Sequence, residues 1–89
     1  MEKILKKIKM LEREIKIKEN MKKHSIPYGQ YNYIENKVED GEVISLLDLK
    51  EYAKRYSLEK DLDVLYEKLD KYKDEFKKEQ EEFFEMRKL

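Results

Sequence analysis

The side chains able to do chemistry in this 89-residue chain are few and scattered. His24 is the sole histidine, cysteine is absent, and the serines are Ser25, Ser45 and Ser57. Nucleophilic or acid–base catalysis needs an imidazole or hydroxyl held beside an orienting partner, and no such pair can be assembled around His24. Ser45 and Ser57 each stand just before an amphipathic run with acids in its first turn (Asp48; Glu59 and Asp61), the place of a helix N-cap rather than a nucleophile. With no thiols, disulfides and thiolate zinc sites are excluded. Arg13, Arg55 and Arg87 could gather an anionic substrate, but each falls on an expected solvent face. The chain therefore reads as a non-enzyme, with no catalytic residue, cofactor or metal.

Two further constellations need weighing. Asn36–Val43 has the outline of a calcium loop, with Gly41 sixth and aliphatic Val43 eighth. Its third position is Val38 and its twelfth is Leu47, so essential oxygen ligands are missing and calcium is rejected. Tyr28, Tyr31 and Tyr33 cluster beside Lys22, Lys23 and His24. Aromatics beside cations can stack bases while neutralising phosphates, or serve as the hot spot of a protein interface. No nucleic-acid-binding motif accompanies them. Filling the core where the loop crosses the helices is the first expectation for these tyrosines; of the two functional uses, protein binding is favoured and nucleic acid is its alternative.

The elements that must position these groups announce themselves by period. Leu58, Leu62, Leu65, Leu69, Tyr72, Phe76, Phe83 and Met86 follow a 4-3-4-3 repeat interrupted only at Glu79. That spacing lines one narrow seam of a helix, the pattern of a coiled coil. At the other end Met1, Ile4, Ile8, Leu11 and Ile15 repeat at 3-4-3-4, widened by Leu5. The phase then slips: Lys18 and Lys22 occupy the next seam positions, while Ile17 and Met21 mark a neighbouring face. Ser25-Ile26-Pro27-Tyr28-Gly29 ends this first helix, because Pro27 lacks an amide donor and disfavours helical geometry at Ile26.

The middle is ambiguous. Tyr31, Tyr33, Ile34, Val38, Val43 and Ile44 suit strands, and Asp40-Gly41 suits a two-residue hairpin turn. Tyr31, Ile34 and Val38 equally fit one face of a short helix stopped by Gly41. The hairpin is slightly favoured, although it sets Glu39 against Glu42. Leu46, Leu49, Tyr52, Ala53 and Tyr56 make a short amphipathic helix, and a bend is expected at Ser57. The predicted fold is mainly α, one small helical domain: a basic helix over 1–24, a loop or hairpin over 25–44, a short helix over 45–56 and a long coiled-coil helix over 57–89.

Charged residues form 47% of the chain, and their periodic arrangement favours amphipathic helices over disorder. Net charge is zero but uneven. Residues 1–25 hold nine Lys or Arg against four acids, so the remainder carries the balancing excess of acid. The simplest cause is a basic helix lying against acidic ones, within or between chains. Lysine outnumbers arginine 18 to 3, a usage that suits an AT-rich genome and is compatible with a viral or mobile-element origin. No signal-peptide run or membrane span is visible, so the default location is cytoplasmic, with no membrane partner.

A chain this small needs help to remain folded, and oligomerisation is the aid left open. The first helix looks too short to cover the long seam. The prediction is a homodimer joined through Leu58, Leu62, Leu65, Leu69, Tyr72, Phe76, Phe83 and Met86. Its partner surface is expected at Tyr28, Tyr31 and Tyr33 with the basic face of Lys6, Lys9, Arg13 and Lys16. Function is then that of a small regulatory, inhibitory or accessory protein that binds another protein.

Overall fold

The computed structural model describes residues 2–88, with side chains through Glu85. Three helices follow in order: α1 (Glu2–Lys23), α2 (Tyr28–Glu39) and α3 (Leu46–Lys88). The described residues contain no strand, so the mainly α expectation holds and the hairpin does not. The α3 helix is one rod of 43 residues, and it sets the longest dimension of a body measuring 68 × 23 × 16 Å. A thickness of 16 Å is little more than one helix with its side chains. The molecule is a single layer in which α1 and α2 lie in succession along α3.

The seam is filled from inside the chain. Ile8 and Ile15 of α1 are buried against Leu62, Leu65 and Leu69 of α3, with Ile4, Leu11, Tyr72 and Phe76 packed at the margin. Leu62 is 2% exposed. The two helices run antiparallel, since Lys7 near the start of α1 lies over the Tyr72 ring at 5.3 Å while Lys18 reaches Asp61 at 3.1 Å. The phase slip after Ile15 is absorbed by long cations: Lys18 and Lys22 cross to Asp61 and Glu59, while Ile17 and Met21 face solvent.

Residues 28–39 are helical for reasons carried by their own side chains. Tyr31 and Ile34 lie one turn apart and bury together, Ile34 to 2% exposure. The Asp40-Gly41 pair closes α2 instead of turning a hairpin. Gly41 has φ of +70°, its N–H donates to the Val38 carbonyl, and Glu42 N–H donates to Lys37 O at 2.9 Å. This is a Schellman cap, which needs the same left-handed glycine as the hairpin turn it was read as. The helical alternative also keeps Glu39 and Glu42 from facing each other across a ladder.

The expected bend at Ser57 is absent too, for α3 passes straight through it. No glycine or proline interrupts residues 46–88. An N-cap at Ser57 would contribute about 1 kcal/mol, less than the cost of breaking backbone hydrogen bonds and restarting a helix. The cap at Ser45 does form, with Asp48 N–H donating to Ser45 Oγ at 3.1 Å.

Candidate interaction surfaces

Arg55 ties the break between α1 and α2 to the rod. Arg55 of α3 is only 6% exposed, contrary to its expected solvent position. Its Nη1 donates to the Ile26 carbonyl and its Nε approaches Glu59 Oε1 at 3.4 Å. The guanidinium also lies 5.2 Å from the Tyr31 ring centre and 5.8 Å from that of Tyr28. Pro27 and Ile26 leave carbonyl and amide groups without helical partners, and Arg55 answers one of them with a charged donor. The signal available was the period itself: one step of three back from Leu58 lands on Arg55, so an arginine, in a chain that otherwise uses mostly lysine, occupies a seam position.

The three tyrosines expected to form one surface are divided. Tyr31 is buried, stacked on Tyr52 at 4.9 Å between ring centres. Tyr28 and Tyr33 are exposed, with Lys37 over the Tyr33 ring. Five residues separate them, which places them about 140° apart around α2, on different faces. Burial, reinforced by the neighbouring Tyr52 and Glu35, pushes the Tyr31 phenol up to about 12 from 10.0. The folded chain therefore keeps a proton that the unfolded chain loses near pH 10. Stability should be undiminished below that value and fall as pH climbs from about 10 towards 12. Urea midpoints measured across this window should decline for the wild type and decline less steeply for Tyr31→Phe, with the remainder left to Tyr52 and Tyr66, which are also raised.

The seam residues fare differently from one another. Leu58, Leu62, Leu65 and Leu69 are buried within one chain, and Tyr72 and Phe76 pack against α1. A second copy could reach the four leucines only by parting α1 and α2 from α3. Phe83 lies past the start of α1 and is 43% exposed, in edge contact with Phe84. The Met86 and Arg87 side chains lie outside those described. The premise that α1 is too short to cover α3 thus fails from Leu58 to Phe76, because α2 takes over the start of the rod.

Several further surfaces are open among the described residues. Lys6, Lys9, Arg13 and Lys16 are all exposed along the outer side of α1. At the turn between α2 and α3, Val43 is 95% exposed and Leu46 and Leu47 are each 69% exposed, with Val38 and Leu49 partly so. A cleft of about 970 Å³ at the α1–α2 break is lined by Lys16, Asn20, Lys23, Pro27 and Arg55 among others. Glu59 already answers two cations there, Lys22 and Arg55, and Glu19 also lines the cleft, so no concentrated cationic cradle results.

Among the described residues no three His, Cys, Asp or Glu side chains could hold a metal ion, and no helix is long and apolar enough to cross a membrane. Asn36–Glu39 belongs to α2, which removes the loop a calcium site would need. Compared with protein-family models, curated proteins and solved structures, the chain matches none.

Proposed function

We propose that the chain is a non-enzymatic interaction module, a small regulatory, inhibitory or accessory protein that binds another protein and associates with copies of itself. The observation that carries the reading is the bare apolar tip at Val43, Leu46 and Leu47. Single exposed aliphatics are ordinary, but three of them within five residues at one end of a narrow rod form a patch that water solvates poorly. An apolar groove or helix on a partner protein would cover them. The rod then acts as a rigid handle behind a small adhesive end.

The tip can be altered without touching the buried seam. Val43→Ser, Leu46→Ser and Leu47→Ser together should leave helicity and melting temperature nearly unchanged. Each fully reburied side chain is worth about 1.5 kcal/mol or more, so partner affinity should fall roughly a hundredfold or beyond. Pull-downs from the native cell should return a stoichiometric partner with the wild type and lose it with the triple variant. Retention by the variant would show that contact occurs elsewhere, with Tyr28 and Tyr33 the next exposed aromatics.

A second reading rests on the unbroken basic face of α1 at Lys6, Lys9, Arg13 and Lys16. Such a stripe could follow a phosphate backbone, and the resulting affinity for DNA or RNA would fall steeply with salt. No mobility shift at low salt would remove it.

A further inference from the structure

We infer that copies of this chain associate side by side, the basic outer edge of α1 on one copy meeting an acidic outer edge of α3 on the next. Asp63, Glu67, Asp70 and Asp74 are all exposed and follow 4-3-4 spacing. Lys6, Lys9, Arg13 and Lys16 are exposed and follow 3-4-3 spacing. At 100° per residue each stripe lies about 150° round its helix from the buried seam, so the two occupy opposite edges of the layer.

Their heights along the rod also match. The contacts of Lys7 with Tyr72 and Lys18 with Asp61 fix the hairpin register, each step up α1 being a step down α3. In that register Lys6 stands level with Asp74, Lys9 with Asp70, Arg13 with Glu67 and Lys16 with Asp63, each within one residue. A neighbouring copy shifted sideways, without sliding or rotating, brings all four pairs together. The same shift sets its α1 antiparallel to the first copy's α3, which suits both helix dipoles. It also brings exposed Ile17 to within two residues of the level of exposed Val64, on the other lip of the contact.

Charge complementarity singles out a second copy over a nucleic acid as occupant of the basic edge. A phosphate backbone has no use for the matching acids, and it would meet a chain of zero net charge. The two edges differ, so the contact is heterologous and does not close on itself; it repeats into a row. This rests on the self-association named above and is independent of the apolar tip.

Sedimentation velocity on the full chain, at low and high salt over a range of concentrations, tests it. At low salt the mean mass should rise with concentration without levelling at a dimer, and high salt should return single chains. The variant Lys6→Glu, Lys9→Glu, Arg13→Glu, Lys16→Glu should lose association by about tenfold or more, as should Asp63→Lys, Glu67→Lys, Asp70→Lys, Asp74→Lys. Mixed in equal amounts, the two should associate again, which neither a nucleic acid nor an apolar dimer would explain. Circular dichroism checks that each remains folded; if either does not, Gln and Asn replacements at the same positions should weaken association while preserving helicity. Association that ignores both salt and these edges would overturn the lateral contact yet leave self-association standing. Single chains at every salt and concentration would overturn both.

Discussion

Leu65→Glu combined with Leu69→Glu should unfold the chain outright. Both leucines are buried between α1 and α3, within the cluster that includes Ile8, Ile15 and Leu62. Each change removes an apolar side chain worth roughly 2 kcal/mol or more and puts a carboxylate among the isoleucines and leucines of that cluster. A domain of this size has about 5–10 kcal/mol in total, so two such losses exhaust it. Far-ultraviolet circular dichroism should report loss of most helix at room temperature, at any protein concentration. A well-folded single chain carrying both glutamates would mean that the seam serves an interface between molecules and not the interior of one.

Arg55→Ala should be the most damaging change of a charged residue. It deletes the donor to the Ile26 carbonyl, removes the cation beside the Tyr28 and Tyr31 rings and leaves Glu59 with Lys22 alone. Loss of a buried charge-assisted hydrogen bond with its packing costs about 2–4 kcal/mol. That predicts a drop in melting temperature of roughly 10 °C or more. Arg55→Lys should recover little, because an ammonium cannot span Ile26 and Glu59 while lying flat against two rings. A melting temperature unchanged in Arg55→Ala would show that the break between α1 and α2 is held without it.

These two variants also mark how far the sequence could be read. The two apolar stripes were legible because Ile4, Ile8, Leu11 and Ile15 repeat with the period of Leu62, Leu65, Leu69 and Tyr72, although the expected homodimer set α3 against a second copy and not against α1. What period alone leaves open is whether matching stripes meet within a chain or between chains. That depends on where a turn lets the chain double back, and on α2 standing in for the missing length of α1. Asp40-Gly41 misled because a left-handed glycine serves a hairpin turn and a helix cap equally well. Ser57 misled because a capping residue exposed within a helix costs little when nothing else breaks it. Arg55 continues the seam one step of three before Leu58, so its burial was within reach of the period, whereas its partner, a carbonyl orphaned 29 residues earlier, is a relation that only the folded chain creates. Of the surface, the basic edge was visible as a stripe, whereas the tip was split, Val43 being read as a strand residue and Leu46 as part of a helix's apolar face.

Since α1 and α2 each touch α3 but not one another, the rod carries two clasps that can be undone separately. The clasp formed by α2 is twelve residues long with two buried hydrophobic anchors, Tyr31 and Ile34. Amide hydrogen exchange should therefore sort into two tiers, with α2 and the first turns of α3 exchanging through a cheap partial opening while the α1-covered stretch waits for global unfolding. Such an opening would bare the first turns of α3 without melting the molecule, and under the proposed partner-binding role it would offer a longer helix to grip than the resting shape presents.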